Sequence, residues 1–208
     1  MKNWSSAISV IVILLIAGCG YDPSEHGTAG EPGFREAFFD SDLLEDLMDD
    51  KKCVVIRFYS IRRSADDVSG SAMAMSSDLS GEDRYSWWFG PWYKAYEELR
   101  GDGADFRNLK VGDAEEATRF MRDAGYTPIA ANFKKEEIRT VLALKSCNGV
   151  QLLPELTPDG RLWTMRLIPV EIKDGTATRV GDREDELVAT EPCPTFCGGR
   201  PEYYVNMR

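Results

Sequence analysis

Cysteine is the residue type with the widest chemical range in this 208-residue sequence, which contains five of them. Apart from one at position 19, they are Cys53, Cys147, Cys193 and Cys197. In an oxidising compartment an even number of cysteines favours disulfides, although four allow three pairings. We expect the two closest in sequence, Cys193 and Cys197, to pair with each other. The remaining two would then form the second disulfide.

Metal binding is the alternative use of Cys193 and Cys197, because two thiols three residues apart can hold copper. The histidine that usually completes such a site is missing, and only Met207 is available nearby. Residues 101–105, GDGAD, place two carboxylates in a turn but do not fill the positions of a calcium-binding loop. We therefore expect no metal and no other cofactor.

Catalytic motifs are missing from the sequence. Its single histidine, His26, lies in a polar N-terminal stretch, so neither a Ser-His-Asp triad nor an HExxH zinc site can form in the body of the chain. A carboxylate pair remains possible, as in glycosidases. Glu97 and Glu98, however, are adjacent on a predicted helix and point in different directions, and the acidic run 184–186 is interpreted as a solvated surface. The sequence favours a protein that is not an enzyme.

A dense aromatic stretch, YSWWFGPWYKAYEELR at residues 85–100, is the most distinctive feature of the chain. Helical spacing from Pro91 to Gly101 would turn Trp92 and Tyr96 towards a core, together with Trp88. Seven aromatic side chains exceed what one helical face accommodates, so some of them are expected to be exposed and to bind a partner. These predicted partner-binding residues are Tyr85, Trp87, Phe89 and Tyr93.

The first twenty residues have the features of an export signal. Lys2 supplies a positive charge, residues 7–17 form an apolar run too short to cross a bilayer, and small residues follow. The ending Ile-Ala-Gly-Cys at residues 16–19 resembles the lipobox of bacterial lipoproteins. That resemblance implies cleavage after residue 18 and a lipid (diacylglyceryl and fatty acyl chains such as palmitate) on Cys19, which would anchor the chain to the membrane.

The resemblance to lipoproteins also implies a location. Gly20 follows the lipidated cysteine, where an aspartate would signal retention in the inner membrane of a Gram-negative cell. We therefore expect a lipid-anchored protein on the periplasmic face of the outer membrane. This compartment is oxidising, in keeping with the predicted disulfides.

The chain that remains after cleavage is strongly acidic. Without Lys2 the chain has 24 basic and 35 acidic residues, which gives a side-chain charge of −11. Such a surface argues against nucleic acid as a ligand and suits a cationic protein partner, or solubility alone.

Patterning predicts the domain organisation and the elements. Residues 19–33 are rich in glycine, proline and polar residues and are predicted to be a flexible tether, and residues 34–208 one periplasmic domain. Helices are predicted at 42–50, capped by Asp42, at 91–101, and at 113–125, capped by Asp113. Strands are predicted at 53–61, 138–145, 150–156, 161–173 and 176–180, and residues 62–83 as an irregular loop. The fold class expected is α+β: an antiparallel meander with two or three helices packed on one face.

A second, weaker resemblance covers residues 53–133. The segment WFGPWYK, residues 88–94, is similar to the active-site segment of thioredoxins, with Phe89 and Trp92 in place of the two cysteines. It implies a scaffold without redox activity, with parallel strands in the central sheet and a cis peptide bond before Pro128.

The function expected from these observations is that of a membrane-anchored envelope lipoprotein that binds another periplasmic protein, as an inhibitor, an immunity protein or an accessory. An accessory that binds cell-wall glycan through the aromatic residues is one alternative. The degenerate thioredoxin-like scaffold is the other.

Overall fold

The computed structural model describes residues 30–78 and 111–189, and the backbone of residues 85–86, 92–93 and 95–97. The helices of this part are α1 (Ser41–Met48), α2 (Val111–Asp123) and α3 (Lys135–Leu142). The strands are β1 (Ala37–Asp40), β2 (Val55–Ile61), β3 (Ser71–Ser77), β4 (Tyr85–Ser86), β5 (Trp92–Tyr93), β6 (Ala95–Glu97), β7 (Ala130–Lys134), β8 (Gly149–Leu156), β9 (Trp163–Lys173), β10 (Thr176–Arg179) and β11 (Leu187–Val188). The predicted α+β class with an antiparallel meander is confirmed.

The first sheet has the order β1-β8-β9-β10, with β11 also paired to β9, and every pairing is antiparallel. Three of its strands follow one another as predicted, within two residues at each end. Asp174 and Gly175 have φ of 50° and 73°. They form the predicted two-residue connection, because a turn of this kind needs positive φ at both positions.

The second sheet has the order β6-β3-β2-β7 and is also antiparallel. Every residue of β3 is buried, and so is all of β2 except its first residue. Two layers cause this burial. One face of β2 packs into the core shared with the first sheet, α1 and α3, and α2 lies against β2 from the other face.

The shared core is centred on three phenylalanines. Phe58 on β2 lies between Phe39 on β1, with ring centroids 5.2 Å apart, and Phe133 on β7, at 5.7 Å. Tilted and edge-to-face pairs of this kind add to the free energy gained by burying the rings. The predicted core residues Trp88, Trp92 and Tyr96 have side chains outside the described part of the structure.

Three sequence predictions of local structure are wrong. Residues 138–145, predicted as a strand from their β-branched residues, form most of α3 and the turn after it. In this helix Ile138 and Val141 are both buried, one turn apart. The N-terminus of the helix is capped because the backbone N–H of Lys134 donates to Glu137 Oε2 at 3.1 Å.

The predicted loop 62–83 contains β3, which pairs with β2 along its whole length. The sequence of β3, SAMAMSS, has low strand propensity, and pairing and burial on both faces decide its structure. The predicted helix after Pro91 is replaced by β5 and β6, which pair with β4 and β3. Its apolar spacing covered only two turns, too little to compete with the open edge of β3.

Helix boundaries differ more modestly. Asp40, two residues before the predicted cap, is the N-cap of α1, and its Oδ1 accepts a hydrogen bond from Leu43 N at 2.8 Å. Helix α2 begins at Val111, so Asp113 lies inside its first turn. It ends near Gly125, as predicted, where φ is 81°.

The last residues of the predicted tether are packed against the domain. Gly30 O accepts a hydrogen bond from Trp163 Nε1, and Glu31 O accepts one from Thr127 N at 3.1 Å. Gly33, with φ of 75°, passes so close to Met121 and Tyr126 that a Cβ would collide with both. Residues 30–33, predicted as part of the tether, therefore pack against the domain.

Candidate functional site

The predicted partner-binding residues are only partly within the described chain. Tyr85 and Tyr93 are Cα partners in the β4–β5 pair, so the backbone brings these two positions together. Trp87 and Phe89 lie outside the described residues. The role of all four in binding a partner stays a prediction.

Two of the four cysteines predicted to form disulfides, Cys53 and Cys147, lie in the described part of the chain. Cys53 Sγ donates to Val55 O at 3.6 Å and Cys147 Sγ donates to Gly149 O at 3.3 Å, so the structure does not join these two residues in a disulfide. Each sulfur is turned back towards the strand that follows it. Cys19, Cys193 and Cys197 lie outside the described residues, as do Met207 and residues 101–105.

An acidic surface is formed by α1. Six carboxylate residues fall between positions 40 and 50, and the helix itself contains no basic residue. Asp42, Glu45 and Asp49 are exposed and follow one another at spacings of three and four residues along one side. Two exposed lysines, at positions 51 and 52, come directly after them. A cationic surface approaching α1 would meet carboxylates held by a helix anchored in the core.

The α2-facing side of the second sheet contains a buried polar cluster that the sequence did not reveal. Arg57 is only 3% exposed. Its Nε donates to Asn132 Oδ1 at 2.7 Å and its Nη1 donates to Tyr59 Oη at 3.2 Å. Alternation within the run CVVIRFYSI could have indicated that Arg57 and Tyr59 share a face. The cluster stabilises the packing between β2 and β7.

A second buried arginine shapes the loop between β2 and β3, residues 62–70. Arg62 is 6% exposed, and its guanidinium donates to the carbonyl oxygens of Ala65 and Asp67 and lies 5.5 Å from the ring centre of Tyr126. The carboxylate of Asp67 accepts hydrogen bonds from the backbone N–H groups of Arg63 and Ser69, both at 3.1 Å. This loop is therefore internally bonded, and it holds Val68 at its tip with 86% of the residue exposed.

The outer face of the first sheet carries an ion-pair network. Arg166 Nη2 donates to Glu155 Oε1 at 2.6 Å and its Nη1 donates to Glu186 Oε2 at 2.8 Å. Arg179 pairs with the other oxygen of Glu186. The hydrogen bond that Arg166 donates to Glu155 raises the pKa of Arg166, and the one that it donates to Glu186 adds to the effect. Glu186, with a side chain 4% exposed, is not part of a solvated surface as the sequence suggested.

Each carboxylate of this network contacts at least one arginine. Within residues 30–78 and 111–189, no group of three histidine, cysteine or acidic side chains is placed to hold a metal. Over the same residues, no helix combines the length and apolar character needed to span a membrane.

No protein-family model matches this sequence, no curated protein matches it, and no solved structure matches its fold. Every strand pairing in the described part is antiparallel. The thioredoxin-like alternative requires parallel strands in the central sheet, so we do not carry it forward.

Proposed function

We propose that this chain is a bacterial envelope lipoprotein, anchored through lipid on Cys19, whose domain binds another, positively charged periplasmic protein. An inhibitor or immunity protein that neutralises a cationic toxin or hydrolase is the concrete form of the proposal. An accessory subunit is the other.

The exposed carboxylates of α1 are the observation that carries the proposed partner class. Asp42, Glu45 and Asp49 are arranged along a helix whose opposite side, at Leu44, Leu47 and Met48, is fully buried. The helix is thus held in position when a partner approaches. Fixed charge on a rigid element accelerates association and selects against partners of the same sign.

The lipobox supports the compartment, and the strong acidity of the chain supports the partner's charge. The aromatic residues predicted for contact, above all Trp87 and Tyr93, would supply affinity once the charges have steered the encounter.

Crosslinking in cells, with the full lipoprotein and identification of the attached protein, is the first test. The captured protein is then purified and its binding measured directly at increasing salt. We expect Glu45→Lys with Asp49→Lys to weaken binding at least tenfold at low salt, with a smaller effect at high salt. Lysine near the C-terminus of α1 is compatible with the helix dipole, so the fold should be retained.

The matched control is Glu115→Lys with Glu184→Lys, which makes the same charge change at exposed positions of α2 and of the turn before β11. It should leave affinity within about twofold. Equal losses in both variants would show that net charge matters and α1 does not. Binding to purified peptidoglycan that salt does not weaken, and that Trp87→Ala abolishes, would instead support the glycan-binding alternative.

A further inference from the structure

The point where the tether joins the domain is defined by specific contacts. Gly30 bonds to Trp163 at the start of β9, and Gly33 O lies against Gly70 so closely that a Cβ there would collide with it. Two separate segments therefore meet the tether: the 62–70 loop, and the end of the β8–β9 hairpin, residues 156–163. We refer to these two segments, with residues 30–33, as the tether end.

The tether end also carries the most exposed large apolar side chains of the described residues. Val68 is 86% exposed and lies two residues before Gly70. Leu156 is 41% exposed and is the strand partner of Trp163. The third exposed large apolar residue of this part of the chain, Val188, is on β11. The two largest exposures thus lie on the two segments that contact residues 30–33.

Both segments hold their apolar residues on an ordered backbone. Arg62 and Asp67 organise the loop beneath Val68. In the hairpin turn, Thr157 N donates to Leu162 O at 2.8 Å and Leu162 N donates to Thr157 Oγ1 at 3.1 Å. An apolar side chain on a prearranged loop loses less conformational entropy on binding to a surface than one on an unstructured segment does.

Charge distinguishes the tether end from the rest of the chain. It contains three arginines, at positions 62, 63 and 161, and four acidic residues, at positions 31, 66, 67 and 159. Its net charge is therefore −1, whereas that of the whole chain is −10. A nearly neutral end is compatible with zwitterionic headgroups. The chain as a whole would be repelled by an anionic membrane.

The tether limits how far this end can be from the bilayer. Gly30 lies eleven residues after Cys19. Full extension of that length reaches about 40 Å, similar to the diameter of a domain of this size. An anchored chain therefore presents the tether end to the bilayer at high effective concentration, so that a weak contact is enough to orient it.

We propose that Val68 and Leu156 contact the surface of a zwitterionic phospholipid bilayer and orient the domain with its tether end on the membrane. The proposal rests on the lipid anchor at Cys19 proposed above. In this orientation the two apolar residues enter the interfacial region, and the tether does not need to be extended.

Hydrogen–deuterium exchange of the native lipoprotein in phosphatidylcholine vesicles tests this orientation. The reference is the Cys19→Ser chain mixed with the same vesicles. We expect amides in residues 62–70 and 156–162 to exchange at least threefold more slowly in the anchored protein. Val68→Ser with Leu156→Ser should abolish this protection. Val188→Ser, the matched control at the third exposed apolar residue, should leave it unchanged.

Mass spectrometry of the same sample separates the two proposals. A chain that carries lipid on Cys19 and floats with the vesicles, yet exchanges at the reference rate in both segments, overturns the orientation and leaves the anchor standing. Protection that appears only with anionic vesicles, or only at α1, also overturns it. A native product without lipid on Cys19 overturns the anchor and the orientation together.

Discussion

Both sheets carry an arginine that is largely withdrawn from solvent, but the two arginines have different surroundings. Arg57 on β2 is 3% exposed and bonds to Asn132 and Tyr59. Arg166 on β9 lies on an outer face, bridges two glutamates and keeps 19% of its side chain exposed. Water can replace a lost partner at Arg166 but has little access at Arg57. The same residue type therefore stabilises the two sheets to different extents.

The comparison extends to the apolar layers. The second sheet is buried on both faces of β2 and β3, whereas the face of the first sheet opposite the core carries the half-buried Arg166 and Glu155 beside buried residues of β9. Substitutions in the second sheet should therefore cost more free energy of unfolding than matched ones in the first. Three pairs of substitutions test this expectation.

The largest effect is expected for Phe58→Ala, which removes the ring between Phe39 and Phe133. We expect a loss of about 3–5 kcal/mol in the free energy of unfolding, because a cavity forms where two sheets meet. Denaturant titration measures it. Phe38→Ala on β1, where the side chain is half-buried, is the control and should cost about 1 kcal/mol. Similar losses in the two variants would show that the three-ring core is not the main stabilising contact.

Arg57→Met should have the next largest effect. It keeps much of the side-chain volume and removes the donors to Asn132 and Tyr59, so we expect a loss of about 2–3 kcal/mol. Tyr59→Phe, which deletes only the hydroxyl that accepts from Arg57, should cost about 1 kcal/mol. A neutral or stabilising Arg57→Met would mean that hydrophobic packing compensates for the lost cluster, and the distinction between the sheets would fail.

Arg166→Met makes the same substitution on the first sheet. We expect a loss of about 1 kcal/mol, because Glu186 keeps its contact with Arg179 and Glu155 is partly solvated. Arg179→Met, at a half-exposed position of the same network, should change stability by less than about 0.5 kcal/mol. The loss in free energy of unfolding should be larger for Arg57→Met than for Arg166→Met. Equal losses would contradict the proposed difference between the two sheets.

The smallest effect concerns Cys53 and Cys147, which precede one strand of each sheet, β2 and β8. Burial raises the pKa of the Cys147 thiol, so in the folded chain it ionises at higher pH than in the unfolded chain. The unfolded state therefore binds fewer protons at alkaline pH, and stability should fall as pH rises through the ordinary thiol pKa of about 8.5. Cys147→Ser should remove this part of the pH dependence in denaturant titrations.

Alkylation of the native chain compares the accessibility of the same two thiols. Cys147 is half-buried and should react with iodoacetamide faster than Cys53, which is 6% exposed. Alkylation after unfolding without reductant provides the control for complete reaction. A peptide containing Cys53 linked to Cys147 in the non-reduced native protein would restore the disulfide predicted from the sequence.

Local structure was predicted correctly where it depends on a few neighbouring residues. The turn at Asp174-Gly175 and the stop at Gly125 require backbone conformations that few residues adopt, and both were found. Prediction failed for β3, whose residue preferences point away from a strand, and for α3, where the helix-forming residues around Glu136 and Glu137 were overlooked. For the candidate site, the acidic stretch of α1 was visible in composition, but the partners of Arg57, Arg62 and Arg166 were not. Asn132 is 75 residues from Arg57, and no local pattern connects them.

The sequence by itself determined the α+β class, the hairpins of the first sheet, the second helix and the acidic charge, because local turn chemistry, hydrophobic period and composition specify these features. It is also the sole basis for the proposed lipid anchor. The tertiary structure alone decided that β3 is a strand and that residues 30–33 pack against the domain. It also brought Val68 and Leu156 to the tether end. Those outcomes depend on pairing and burial between residues distant in sequence, whose free energies exceed local propensities of a few tenths of a kcal/mol per residue.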